Sequence, residues 1–328
     1  MSEELLKVSN ISISFLQYTV GLRQNLLKVI SDLSLEISSG EIVAVLGSSG
    51  SGKSLLAHGI LGILPSNANL SGEMTYCGEN LNQDLKEKLR GDEISLIPQS
   101  VKFLDPLMKV SEQVIGECSD DAEKAEKKAL QREIFEKYGL GEEVDDMYPF
   151  QLSGGMARRV LISTALMNNP KLVIADEPTP GLDEKSVKET LNHIKQMAKD
   201  NVGVLLITHD IDAALNVADK IAIFYAGYVI EVVNTEDFSG DGKRLIHPYT
   251  KALYHALPQN DFKLTEGHQP LHGEIPSCCP YYKRCDNPTE RCGVNIPPLV
   301  DISNKKVRCF RANEYKDEIL EIETKVIN

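Results

Sequence analysis

The chain has no tryptophan, and no apolar run in its 328 residues approaches the ~20 residues needed to span a bilayer. No signal peptide opens it, so a soluble chain is expected, with any membrane association coming through partner subunits. Basic residues are also in short supply. The 35 Lys and Arg against 48 Asp and Glu leave a net charge of -13, which argues against a nucleic-acid binder, since such a protein would show a basic face. Internal repeats, low-complexity tracts and sustained heptads are missing as well. Outside the tail, cysteine is limited to Cys77 and Cys118; the other five crowd together near the C-terminus. What is present is 42% hydrophobic content, enough for a sizeable core, in a chain longer than one ordinary domain.

The stretch Gly47-Ser48-Ser49-Gly50-Ser51-Gly52-Lys53-Ser54 fits the phosphate-loop pattern G-x-x-x-x-G-K-[S/T]. Its context is the one the mechanism needs. Ile42-Val43-Ala44-Val45-Leu46 reads as a buried strand before it, and Leu55 to Leu64 reads as a helix that stops at Pro65. Glycines let backbone N–H groups turn inward around phosphates. Lys53 is expected to reach the β- and γ-phosphates, and the Ser54 hydroxyl to ligate Mg²⁺. A Gly/Ser-rich loop with one lysine could be ordinary surface. The strand before it and the helix after it argue otherwise.

A second strand, Leu172-Val173-Ile174-Ala175, ends in Asp176-Glu177. In P-loop enzymes a strand-end aspartate holds Mg²⁺, which gives Asp176 its role. Glu177 is placed to polarise a water in line with the γ-phosphate. Two adjacent carboxylates are usually a solvated loop, but at the end of an apolar strand in a chain with a phosphate loop they read as a metal ligand and a base.

Between these motifs stands Leu152-Ser153-Gly154-Gly155-Met156. The ordered set of P-loop, Gln99, LSGGM, strand-DE, Pro180-Gly181-Leu182-Asp183 and His209 resembles the ATP-binding subunit of an ATP-binding-cassette (ABC) transporter. The resemblance implies an α/β P-loop NTPase with a RecA-like core, an antiparallel β-subdomain and a helical subdomain. It implies ATP and Mg²⁺ as cofactors and ATP hydrolysis as the activity. Ser153, Gly154 and Gly155 would open a helix facing the ATP of a second cassette, the same anion capture by helix-end N–H groups now offered across a dimer. Gln99 matches the Q-loop glutamine that contacts Mg²⁺ and relays nucleotide state to the membrane subunits. His209, at the end of Leu205-Leu206-Ile207-Thr208, matches the switch histidine on the γ-phosphate. Asp183 matches the D-loop aspartate. Phe15 aligns with the aromatic that stacks on adenine, although Tyr18 is close and a strand phenylalanine is more often core. One departure is Pro180-Gly181-Leu182-Asp183, where Thr-Ala-Leu-Asp is common.

Lys7-Val8-Ser9-Asn10-Ile11-Ser12-Ile13-Ser14-Phe15 alternates, and residues 5 to 45 read as antiparallel strands. From about Asn82 to Leu166 the texture is helical. Ser119 or Asp120 could cap a helix running through Ala122, Ala125, Ala129 and Ile134 to Gly139, with Glu123–Lys127 and Arg132–Glu136 at i, i+4 spacing. His209-Asp210-Ile211, Val217 to Gly227 and His247-Pro248-Tyr249-Thr250-Lys251-Ala252-Leu253 look like the cassettes of peptide and nickel importers. That likeness implies a cassette over 1–240 with an extension over 241–328. Its partners would be a second, related cassette, two transmembrane permease subunits and, indirectly, an extracellular solute-binding protein. The chain would then sit at the cytoplasmic face of the cell membrane, driving import of peptides, nickel or metal chelates. A soluble ABC ATPase without a membrane partner is the alternative; one P-loop, one signature and no coiled coil argue against it.

The tail resembles the four-cysteine motif of peptide-importer cassettes, with Cys279, Cys285, Cys292 and Cys309 as ligands and Cys278 where glycine is usual. A reducing compartment disfavours disulfides. Gaps of five, six and sixteen residues are wider than the tight pairs of zinc sites, so a [4Fe–4S] cluster is expected, with zinc or unligated thiols as alternatives.

Overall fold

The computed structural model describes residues 3–18, 23–271 and 274–315. Strands β1 (Glu4–Tyr18) and β2 (Gln24–Ser38) pair antiparallel. Leu6 and Val8 are buried at even positions and Ile11 and Ile13 at odd ones. The change of parity is absorbed at a register shift between Val8 and Ile11, where Asn10 takes a φ of 53°. One extra residue there keeps both apolar pairs on the core face. Strands β4 (Ala68–Tyr76) and β5 (Glu79–Asn80) complete a four-stranded sheet in the order β2-β1-β4-β5.

The second sheet has eight strands. These are β3 (Ile42–Leu46), β6 (Ile94–Ile97), β7 (Leu172–Asp176), β8 (Gly203–Thr208), β9 (Lys220–Tyr225), β10 (Tyr228–Asn234), β11 (Val300–Ile302) and β12 (Lys305–Val307), in the order β11-β12-β10-β9-β3-β8-β7-β6. From β9 to β6 the pairing is parallel. Parallel strands are covered on both faces, which is why their sequences are continuous apolar runs rather than alternating ones. Ile42, Ala44 and Leu46 face a core shared with the helices around residues 110–166. Val43 and Val45 face the β1–β2 side. Burying each such side chain contributes about 1.5–3 kcal/mol. Register sets the site: Leu46 lies beside Thr208, and Asp176 beside Ile207. The loops that leave β3, β7 and β8 therefore emerge together at the carboxyl edge of the sheet, where open α/β sheets bind ligands.

Helix α1 (Lys53–Leu61) ends earlier than the sequence suggested, because Gly62 takes a φ of 68° and caps it before Pro65 is reached. Helices α2 (Gln83–Leu89), α3 (Val110–Ile115), α4 (Asp121–Lys137) and α5 (Gly154–Leu166) follow, with β6 between α2 and α3. Asp120 caps α4, accepting from Glu123 N at 2.8 Å. Glu123 and Lys127 pair at 2.9 Å, whereas Arg132 turns to Asp145 at 3.4 Å. Helices α6 (Glu184–Lys199) and α7 (Ile211–Val217) cover the sheet, and α8 (Pro248–His255) begins the C-terminal part.

That C-terminal part is stitched into the main sheet through β11 and β12. Buried Arg308 donates to Val229 O, Pro297 O and both Asp32 O and Asp32 Oδ2, the last at 2.8 Å. Buried Glu231 on β10 accepts from Ile246 N at 2.7 Å and His247 N at 3.0 Å, fixing the entry to α8. Each removes a polar group from water only by satisfying several partners at once.

Candidate active site

The loop 47–54 runs from β3 into α1. A side chain at Gly47 would place its Cβ 2.6 Å from Phe224 O on β9, so only glycine lets the loop leave the sheet there. Lys53 is buried, donating through Nζ to Gly47 O (2.8 Å) and Ser48 O (2.9 Å), with Glu177 Oε1 at 3.6 Å. Burial pulls the Lys53 pKa down, while Glu177 and Asp176 push it back up. A cation held this way is ready for a polyphosphate.

Asp176 and Glu177 leave β7 side by side, both buried. Ser54 Oγ donates to Asp176 Oδ1 at 3.1 Å. Burial raises the Asp176 pKa, and the bond from Ser54 opposes the rise. A buried carboxylate beside a hydroxyl is a hard-oxygen set of the kind Mg²⁺ takes, so these two residues fit the ion. Glu177 has a φ of 46°, uncommon for a residue with a side chain, and its N–H is held by Ile207 O at 2.8 Å. Such backbone strain persists only where the surroundings impose it. Here it turns the carboxylate towards His209, whose Nδ1 lies 2.7 Å from Glu177 Oε2.

A cavity of about 390 Å³ opens here, with Phe15, Ser49 to Ser54, Gln99 and Glu177 on its wall. Phe15 is half-buried beside Leu27 and Val29, which sequence reading did not single out, while Tyr18 is exposed and off the wall. Gln99 reaches this wall because Arg158 grips its segment. Arg158 is 2% exposed and donates to Pro98 O (2.6 Å) and Gln99 O (2.8 Å). Arg158 also escaped the sequence reading. Its only signal was an arginine on the apolar side of the helix opened by the LSGGM stretch.

Ser153, Gly154, Gly155 and Asp183 do not line this cavity; they sit at the starts of α5 and α6. Ser153 caps α5, accepting from Met156 N at 3.2 Å. Asp183 caps α6, accepting from Ser186 N (3.1 Å) and Ser186 Oγ (2.7 Å). A Cβ on Gly155 would lie 2.8 Å from Ser186 Oγ, so the two helix starts are packed together. Ser153, Gly154 and Asp183 are exposed, leaving two helix N-termini facing outward on one patch.

Two further features lie outside the phosphate loop. A groove of about 680 Å³ opens next to the Gln99 segment, walled by Ile63, Leu96, Pro98, Phe103, Leu104 and Leu161 among others. In the tail, Cys279, Cys285, Cys292 and Cys309 all line one cavity of about 20 Å³. The expected metal cage is nonetheless not drawn together. Among the described residues, no group of three or more His, Cys, Asp or Glu side chains is close enough to hold a metal. Burial pushes the Cys279 thiol up to about 12 and raises Cys285 and Cys309, which disfavours in these three the thiolate form that a metal takes. Thr289 N–H and Oγ1 lie 3.4 and 3.2 Å from Cys292 Sγ.

Comparison with known proteins places these features. Residues 30–180 match the ABC transporter family model, and residues 230–292 match the model of the oligopeptide/dipeptide transporter C-terminal region. The chain is 32% identical over 327 residues to the oligopeptide transport ATP-binding protein AppD of Bacillus subtilis, covering 94% of this chain and 97% of that protein. It is 33% identical over 302 residues to the oligopeptide transport ATP-binding protein OppD of Escherichia coli, covering 87% and 88%. Among solved structures, the dimeric post-hydrolysis state of the ATP-binding cassette MJ0796 bound to ADP and Pi is similar at a TM-score of 0.59 and 27% identity. That likeness covers 70% of this chain and 99% of that one.

Proposed function

The chain belongs to the ATP-binding subunits of oligopeptide and dipeptide ABC transporters, and from that membership we propose that it hydrolyses ATP to drive peptide import through a membrane permease. The observation that carries the chemistry is Glu177, held between His209 at 2.7 Å and Lys53 at 3.6 Å at the mouth of the phosphate loop. In this reading Gly47 to Lys53 cradle the phosphates, and Ser54, Asp176 and Gln99 would hold Mg²⁺, which would supply positive charge to offset that of the phosphates. Glu177 orients and deprotonates the attacking water, His209 contacts the γ-phosphate, and Phe15 stacks on adenine. The exposed patch of Ser153, Gly154, Gly155 and Asp183 would complete the ATP site of a second, related cassette. The apolar groove beside Gln99 is a natural seat for a permease segment, because Gln99 then touches both the groove's border and the nucleotide. The proposed division places the cassette at 1–240 and the extension at 241–328, at the cytoplasmic face of the membrane. No helix among the described residues is long and apolar enough to cross one. Relatives named for oligopeptides and dipeptides favour peptide as cargo over nickel or a metal chelate.

The four tail cysteines form the remaining part of the reading. We propose that they hold a metal. The wide ligand spacing supports [4Fe–4S], and the shared cavity supports a common ligand. A metal would favour the thiolates that burial otherwise disfavours.

Reconstitution tests the main proposal. The chain, a second cassette and two permease subunits in proteoliposomes should show ATP hydrolysis that rises with a peptide-loaded binding protein, with peptide accumulating inside. Equal turnover by the chain without any membrane subunit, and no peptide uptake with them, would instead mark a soluble ATPase.

A further inference from the structure

Gln259 and Gln269 belong to the C-terminal part, yet each bonds the cassette beside the nucleotide site. Ser48 Oγ donates to Gln269 Oε1 at 3.1 Å. Gln259 Nε2 donates to Asp212 Oδ1 at 3.4 Å, and Asp212 sits in the first turn of α7, just past His209. One stretch of the extension therefore touches the phosphate loop and the element that follows the histidine.

Ser48 is a consequential point to hold. Its carbonyl accepts both Lys53 Nζ (2.9 Å) and Ser51 N (3.3 Å), so restraining the Ser48 side chain restrains the carbonyl that aims the lysine. Ser48, Ser49 and Gly50 are exposed, so packing does little to fix this outer half of the loop. The stretch that supplies Gln269 is itself anchored. Arg284 Nε donates to Glu266 O (3.1 Å) and Nη1 to Tyr225 Oη (3.2 Å), with the guanidinium 5.5 Å from the Tyr281 ring centre. Tyr225 follows Phe224, the residue against which Gly47 packs. The bond from Ser48 to Gln269 thus joins the exposed half of the loop to a part of the fold fixed by a buried tyrosine pair and an arginine.

We propose that Gln269 is a positioning residue of the ATP site, through which the C-terminal extension holds the phosphate loop ready for nucleotide. This rests on the reading of residues 47–54 as the ATP-binding loop. A binding loop held in its bound shape loses less freedom when ligand arrives, so the contact acts on affinity. It does not touch the water or the γ-phosphate, so the hydrolytic step is outside its reach.

The test is calorimetric titration of MgADP into the full chain, with melting in the absence of nucleotide, for wild type, Gln269→Ala, Ser48→Ala and the double variant. Loss of one net hydrogen bond predicts about 3- to 10-fold weaker binding in each Ala single variant. The double variant should be no weaker than the poorer single. Additive losses in the double variant, or wild-type affinity in Gln269→Ala, would overturn the proposal. Gln269→Ala that melts lower without nucleotide yet binds normally would also overturn it, by making the contact structural. Wild type that takes no MgADP at all would sink the ATP-loop reading instead, which keeps the two failures apart.

Discussion

His209 Nδ1 stands 2.7 Å from Glu177 Oε2, and the same carboxylate lies 3.6 Å from Lys53 Nζ through its other oxygen. One buried carboxylate thus joins Lys53 of the loop 47–54 to His209 beyond the end of β8. Replacing it separates binding from chemistry. Glu177→Gln keeps size and one acceptor but cannot take a proton, so hydrolysis should fall by at least ~10²-fold while ATP still binds. The variant should accumulate an ATP-bound dimer. Turnover close to wild type in the assembled transporter would remove Glu177 as the base.

Lys53 and Ser153 should fail in different ways. Lys53→Ala removes the charge partner of a buried polyphosphate and should abolish tight nucleotide binding by the isolated chain. Ser153→Arg lies on the exposed patch away from the chain's own cavity, so binding should survive while hydrolysis at the partner cassette's ATP stops. Equal loss of binding in both variants of the isolated subunit would mean that the LSGG stretch serves its own chain.

How legible this was depended on whether a signal is local. The run Ile42 to Leu46, the loop after it and Asp176-Glu177 are contiguous, so their strand–loop–helix and strand-end placements could be read from neighbours alone. Parallel pairing of β3, β7 and β8 then brings them to one edge, which sequence order implies but does not measure. Arg158 and Gln269 were invisible for the opposite reason. Each acts on a residue far along the chain, Arg158 on Pro98 and Gln99 and Gln269 on Ser48, and neither type announces such a partner. The end of α1 was misjudged because proline looked like the stop, whereas Gly62 had already capped the helix.

Glu231 gives stability a pH signature. It is fully buried, and burial raises its carboxyl to about 7, against the pull of the Ile246 and His247 amides and nearby Lys305. His247, pushed by burial down to about 3, stays neutral beside it, and Lys305 is paired with Asp237 at 3.1 Å. A carboxyl whose folded pKa exceeds the unfolded one binds its proton more tightly when folded. Its contribution is therefore complete below the unfolded carboxyl pKa and is lost as pH rises to about 7. The shift corresponds to roughly 3 kcal/mol. Urea unfolding of wild type and Glu231→Gln at pH 5 and pH 7.5 (~2.5 units apart) isolates the effect, since other groups titrate alike in both. Wild type should lose more stability than the variant over that interval. Parallel declines would show that Glu231 ionises in the fold as freely as outside it.

The tail cysteines carry the last prediction. Four thiols line one cavity of about 20 Å³, with Cys279 raised to about 12, and the proposal that they hold a metal requires their thiolate forms, which a cation would favour. The cavity as it stands has room for little more than one atom-sized ligand, so a cluster requires the cysteines to move apart. Protein purified without oxygen should be brown and carry about four irons per chain, and Cys285→Ser should lower that content. Colourless protein with one tightly held zinc would keep the site and exchange the metal. Metal-free protein in which all seven cysteines react with a thiol reagent after unfolding, and iron or zinc added back changes neither reactivity nor melting, would leave four unligated thiols whose role is packing.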